Sequence, residues 1–194
     1  MVSMLDCIKR VPDILNSILE NRESTFRPLF ERFSERLEQM DEVVLIGSGT
    51  SYTSAFTGKY LAEKASGLRI TVLPPNEFLH YISVRNEKAL YVFISQTGNS
   101  KLTNRALEFA ANAGYMTVVI SESAKTMAAK KADVFIDMHC GREEYPMRTI
   151  GYSATVLTVM MLGIAIGEWR GNLSSAEVCA CLESAAAERF PLHS

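Results

Sequence analysis

The stretch Val43-Val44-Leu45-Ile46-Gly47-Ser48-Gly49-Thr50-Ser51-Tyr52-Thr53-Ser54 decides how the rest of the chain is read. Four apolar residues, three of them β-branched, run straight into a glycine-hydroxyl turn, and a helical pattern begins inside that turn. A strand with no polar position has both faces buried, as in a parallel sheet covered on both sides. A second segment repeats the design: Tyr91-Val92-Phe93-Ile94 leads into Ser95-Gln96-Thr97-Gly98-Asn99-Ser100 and then a helix.

Working outward, short apolar runs at 43–46, 70–73, 90–94, 116–120 and 134–136 alternate with helix candidates at 52–65, 100–113 and 125–131. Gly114 closes the second of these as a C-cap. Five buried strands joined by helical crossovers predict an α/β protein. The expected architecture is a five-stranded parallel sheet flanked by helices, a flavodoxin-like three-layer sandwich. Two helices are expected within 4–39, separated by a polar break at 21–24, with Thr25 capping the second and Pro28 in its first turn. Residues 150–167 carry no charge over 18 positions. Being barely long enough to span a bilayer and rich in hydroxyls at its start, this segment reads as a buried helix at a subunit contact. A break at Arg170-Gly171-Asn172 precedes a last helix over 174–189. The expected division is N-terminal helices in 1–40, the sandwich in 41–169 and a C-terminal helix and tail in 170–194.

The 194 residues are 47% apolar and 22% charged, which excludes a disordered chain. Lys plus Arg is 20 against 22 for Asp plus Glu, so the basic excess expected of a protein that coats nucleic acid or anionic lipid is absent. Cys7, Cys140, Cys179 and Cys181 form no CxxC pair and no zinc-spaced cluster. Free thiols and an N-terminus without a continuous apolar run point to the cytoplasm.

In an open parallel sheet, ligands bind beyond the carboxyl ends of the strands. Both glycine-hydroxyl turns lie there and both open helices. Glycine lets the backbone approach a ligand closely, helix N-terminal N–H groups are unpaired, and the helix dipole favours negative charge. Ser and Thr add donors without cationic bulk, so a phosphate ester fits. Position 52 is Tyr where a dinucleotide fingerprint needs Gly, and neither turn carries a P-loop GK[ST]. The absence of GxSxG argues against Ser95 as an esterase nucleophile.

These residues resemble the SIS (sugar isomerase) phosphosugar-binding domain family. The likeness rests on GSGTSY at 47–52, SQTGNS at 95–100, ALEFAANAG at 106–114, ADVFID at 132–137 and GREEYPMRT at 141–149, with the apolar helix after it. It covers about 41–167 and is strongest to the first of two such domains in the isomerase part of glucosamine-6-phosphate synthase and in fructosamine-phosphate deglycases. The resemblance implies a sugar phosphate held by Ser51, Ser95, Gln96, Thr97 and Ser100, with Thr50 beside them, and no cofactor. It also implies a homodimer or higher homo-oligomer, or pairing with a second SIS chain. The function it implies is sugar-phosphate isomerisation or deglycation. The alternative is a non-catalytic phosphosugar-binding module, or the substrate-binding half of a two-domain or two-chain enzyme.

Aldose–ketose chemistry needs a base to carry a proton between C1 and C2, and often a His to open the ring. His80, in Asn76-Glu77-Phe78-Leu79-His80, resembles the family's ring-opening residue. For the base, Glu63 lies one residue from the position that carries a glutamate in the family's catalytic half, where Lys64 stands here. Glu143 matches a glutamate near the ligand of the family's first domain. Arg148 is a candidate for steering phosphate. His139 beside Cys140 gives too few ligands for a metal, and none is expected.

Overall fold

Strands β1 (Glu42–Gly47), β2 (Arg69–Leu73), β3 (Ala89–Ile94), β4 (Met116–Ser121) and β5 (Val134–Asp137) form one sheet in the computed structural model, which describes residues 2–187, with side chains from 2 to 183. Every pairing is parallel and the spatial order is β2-β1-β3-β4-β5. Eight helices accompany the sheet among the described residues: α1 (Met4–Glu20), α2 (Arg22–Glu38), α3 (Thr50–Ser66), α4 (Pro75–His80), α5 (Lys101–Asn112), α6 (Met127–Lys131), α7 (Ile150–Trp169) and α8 (Ser175–Ala187).

Alternation along each strand builds the two layers. Val43 and Leu45, Leu90, Val92 and Ile94, and Val118 and Ile120 point into a core shared with α1, α2, α3 and α7. Val44 and Ile46, Tyr91 and Phe93, and Val119 point into a second core with Phe78 of α4, Leu107 of α5 and Ala128 of α6. Both faces are therefore apolar, which is why the strand segments carry no polar alternation.

The long apolar helix is buried within the chain itself. α7 lies against α3 through small residues: a Cβ on Gly58 would sit 2.8 Å from the Val156 carbonyl oxygen, and one on Gly163 would overlap Ala62. The sheet, α3, α1 and α2 surround α7, so it has no polar stripe to present to water. Trp169 stacks on Phe30 of α2 with ring centroids 5.7 Å apart. Arg170 donates to the carbonyls of Leu37 and Met40 at 3.0 and 2.9 Å, fastening the end of α7 to the end of α2. The subunit contact expected for this helix is thus not needed to bury it.

Two local expectations are corrected. The first two helices part at Asn21 alone, because the Thr25 N–H donates to the Asn21 carbonyl at 2.9 Å and draws 22–24 into the helix. Pro28 consequently sits inside α2 instead of in its first turn. Pro75 at the first position of α4 starts a short helix that carries Glu77 and His80. The C-terminal helix begins as expected, with Ser174 Oγ accepting the Glu177 N–H at 3.3 Å; positions 188 and 189 of that expectation, and His193, lie outside the described residues.

Candidate functional site

Ligands in this fold class bind where the chain leaves the sheet in opposite directions. From β1 the chain turns outward to β2 at one edge; from β3 it turns towards β4 and β5. β1 and β3 are neighbours, with Gly47 opposite Ile94 in the register. The two glycine-hydroxyl turns therefore leave the sheet about 4.8 Å apart at their roots.

In the first turn, a Cβ on Gly47 would sit 2.9 Å from the Ser51 carbonyl carbon, so the chain folds back tightly enough to require glycine. Gly49 takes φ 57°, in the left-handed region, and α3 starts at the next residue. Ser51 N–H donates to the Ser48 carbonyl and Thr53 N–H to that of Gly49, each at 3.1 Å. The N–H groups of Ser48, Gly49 and Thr50 are left without an acceptor among the described residues. Thr50 is exposed and Ser51 half-buried.

In the second turn, Gly98 N–H donates to the Ser95 carbonyl at 2.9 Å, and Gly98 adopts φ 65° with its Cα against Thr126, the N-cap of α6. Asn104 Nδ2 donates to the Gly98 carbonyl at 2.9 Å. Ser100 caps α5 by accepting the Thr103 N–H at 3.4 Å, which leaves its own O–H free to donate. The N–H groups of Gln96 and Thr97 have no acceptor among the described residues. Ser95 and Gln96 are buried, and Thr97 and Ser100 half-buried.

The strand next door braces this loop. Glu122 N–H and Ser121 Oγ both donate to the Gln96 carbonyl, at 2.9 and 3.1 Å. On the other side the Gln96 side-chain amide donates to Glu143 Oε2 at 3.3 Å. Glu143 accepts three more bonds: Oε1 from the N–H groups of Thr149 and Ile150 at 2.8 and 2.9 Å, and Oε2 from Gly151 at 3.1 Å. At 4% exposure its carboxylate is enclosed by those donors. Glu143 thus caps α7 from seven residues upstream and ties that helix to the β3 loop.

A cleft of about 370 Å³ opens beside loop 95–100, lined by Thr97, Asn99, Glu122, Arg142, Glu143 and Arg148 among others. Its wall includes the second turn and not the first. Arg148 Nη1 donates to the Glu143 carbonyl at 3.3 Å. Glu144, at the rim, is gripped by Arg10 of α1 at 2.7 Å, which holds its carboxyl below the ordinary range. Burial pushes the Glu122 carboxyl up, opposed by the charges of Arg148 and Arg142.

The structure brings Thr50, Ser51, Ser95, Gln96, Thr97 and Ser100 to one edge of the sheet, with Glu143 behind them. It does not bring Glu63 there. Thirteen residues beyond Thr50, Glu63 lies about 20 Å down α3 at 1.5 Å per residue, where its Oε1 accepts the Ile70 N–H at the foot of β2. A helix that rises from the site carries its last turn away from it. His80 is exposed at the end of α4, which packs on α5, and among the described residues no hydrogen bond links it to either turn. His139 accepts or donates at 2.7 Å with Thr25 Oγ1, a brace between α2 and the segment after β5. No group of three or more His, Cys, Asp or Glu with metal-holding geometry occurs among the described residues. Two cleft residues, Glu122 and Arg142, escaped the sequence reading. Glu122 had a usable signal: it is the first residue past a buried parallel strand, at the edge where ligands bind.

Comparison with known proteins agrees with this geometry. Residues 36–165 match the SIS domain family. A glutamine--fructose-6-phosphate aminotransferase [isomerizing] of Caulobacter vibrioides is 30% identical over 138 residues, 71% of this chain and 23% of that protein. The enzyme of the same name from Campylobacter jejuni is 28% identical over 172 residues, 88% of this chain and 29% of that protein. Among solved structures, the C-terminal domain of glucosamine-fructose-6-phosphate aminotransferase from Francisella tularensis superposes with a TM-score of 0.86 at 19% identity, over 95% of this chain and 52% of that one. The chain spans roughly a quarter of the curated relatives' length and about half of that solved domain. With the family match covering its sheet and both turns, this chain belongs to the SIS domain family.

Proposed function

We propose that the protein binds a sugar phosphate, with the phosphoryl group seated on the turns after β1 and β3, and that it takes part in isomerase-type acid–base chemistry on that sugar. The observation that carries this reading is the pair of turns on adjacent parallel strands, each ending in a helix N-terminus and together offering the free N–H groups of Ser48, Gly49, Thr50, Gln96 and Thr97. Thr50, Ser51, Ser95, Thr97 and Ser100 supply hydroxyl donors around them, and Gln96 an amide. The relatives' names concern fructose 6-phosphate and its isomerisation, which supports a six-carbon ketose or aldose phosphate as the ligand.

A second reading, a binding module or the substrate-binding half of a larger enzyme, draws on specific observations. Glu63 lies at the far end of α3 and the Glu143 carboxylate is committed to α7. The chain also matches half of the solved domain. A cytoplasmic homodimer in which exposed His80 meets the ligand of the neighbouring copy belongs to the first reading; pairing with a second SIS chain belongs to the other.

A thermal-shift screen with glucose, fructose and glucosamine 6-phosphates tests the binding step. A ligand present at about 100 times its Kd stabilises the native state by about 2.7 kcal/mol. No shift with any phosphorylated sugar overturns the proposal. Product analysis of each hit then separates turnover from binding alone.

A further inference from the structure

We infer that Glu122 is a catalytic acid–base residue of this site, carrying the proton between the two carbons of the sugar phosphate that exchange the carbonyl. The inference rests on the sugar-phosphate reading above and adds to it the group that does the chemistry.

Three carboxyls line the cleft, and their surroundings divide them. Glu143 accepts four hydrogen bonds, three of them from the backbone N–H groups that start α7. Its withdrawal would uncap a buried helix. Glu144 is paired with Arg10. Glu122 alone keeps a carboxylate oxygen, Oε2, that is buried and has no hydrogen-bond partner. A buried unpaired acceptor costs stability, and a reacting group at a ligand site is one reason to retain it.

The placement of Glu122 is fixed by the same contacts that shape the second turn. Its N–H is bonded to the Gln96 carbonyl at 2.9 Å, so its Cα moves with the loop that carries Ser95 and Thr97. It lines the cleft together with Thr97 and Asn99, within reach of the Arg142 and Arg148 charges. A carboxyl pushed up by burial sits closer to the working range of a general base than a solvated one does. The charged and polar groups around it are Arg148, Arg142, the Gln96 amide, Glu143 and the Cys140 thiol; the first three oppose the effect of burial and Glu143 adds to it.

In the aldose-to-ketose direction, the C2–H bond breaks and its proton passes to a Glu122 oxygen. The electron pair forms the C1–C2 double bond, and negative charge develops on the former carbonyl oxygen at C1, near the guanidinium groups of Arg142 and Arg148. A proton is then returned to C1 from Glu122, the oxygen at C2 becomes the carbonyl, and its hydroxyl proton ends on the oxygen at C1. The carboxylate is regenerated, and nothing is oxidised or reduced overall.

The test incubates the full chain with glucose 6-phosphate, fructose 6-phosphate and glucosamine 6-phosphate in D₂O. Deuterium entering at C1 or C2 is followed by NMR, and Kd is measured in parallel for wild type, Glu122→Gln and Glu122→Asp. The expected result is exchange by wild type, at least about 100-fold slower exchange by Glu122→Gln with Kd within about threefold, and an intermediate rate for Glu122→Asp with the acid limb of its pH profile displaced. Three results overturn the assignment and leave sugar-phosphate binding intact: exchange by Glu122→Gln at the wild-type rate, loss of exchange only in proportion to lost binding, or binding by wild type with no exchange. Failure of wild type to bind any of the three sugars removes the sugar-phosphate reading itself, and this assignment with it.

Discussion

The side-chain amide of Gln96, in the turn after β3, donates to Glu143 Oε2 at 3.3 Å, and that same oxygen accepts the N–H of Gly151 at 3.1 Å. Gly151 has no Cβ to keep the amide away; one placed there would overlap Gln96. One carboxylate thus joins the loop after β3 to the first turn of the central helix, and disturbing either partner is felt by both.

The first prediction concerns that carboxylate. Glu143→Ala strips the acceptors from three backbone N–H groups at the start of α7 and costs about 2–4 kcal/mol of stability. Glu143→Gln, which keeps one carbonyl oxygen, costs less. Urea unfolding with an unchanged m-value checks both.

Binding separates from folding at the hydroxyls. Ser51→Ala and Thr97→Val each remove one donor to an anionic ligand, worth about 1.5–3 kcal/mol, or about 10–100-fold in Kd for hexose phosphate. Ser51 opens α3 and Thr97 Oγ1 accepts only the Asn99 N–H, at 3.4 Å, so the unliganded melting temperature is expected to fall little. Calorimetric titration beside a melting curve makes the comparison.

Helix packing gives a third. Gly163→Ala drives a methyl group into the Ala62 backbone of α3. Overpacking at a backbone contact costs about 1–3 kcal/mol, more than the gain in helix propensity returns. A lowered midpoint in urea is the expected outcome.

The pH dependence at Glu122 has a definite sign. Burial lifts its carboxyl above the ordinary 4.5, so the native state holds the proton more tightly than the unfolded chain does. Its contribution to stability is most favourable at pH values below 4.5 and declines as the pH rises through the elevated value. Glu122→Gln is therefore expected to raise the melting temperature at pH 7, with the gain shrinking as the pH is lowered towards 4. A variant less stable than wild type at pH 7 contradicts this.

Thiol chemistry supplies the last. Burial pushes the Cys140 thiol up to about 12, and Cys7 is also buried, whereas Cys179 is exposed on α8. A thiol-specific reagent at pH 8 is expected to label Cys179 in the native protein and to reach Cys7 and Cys140 only after denaturation.

Sheet and turns were legible in the linear chain because their causes are local. Val43–Ile46 and Tyr91–Ile94 are apolar at every position, which only a strand covered on both faces tolerates, and glycine with hydroxyls after them marks a helix N-terminus open to an anion. The sequence alone also pointed to a buried helix at 150–167, since an uncharged run with no polar stripe must leave water and this one is barely long enough to span a bilayer. It could not say what covers that helix. α3, α1 and α2 do so through close contacts at Gly58 and Gly163, and shape complementarity between distant segments leaves no periodic signal. The acids were decided by the tertiary structure for the same reason. Glu63, Glu122 and Glu143 are the same residue type, yet one meets the foot of β2, one lines the cleft with a buried oxygen left unpartnered and one caps α7. A carboxyl's chemistry is set by the donors, charges and solvent around it, and folding brings those neighbours from up to dozens of residues away.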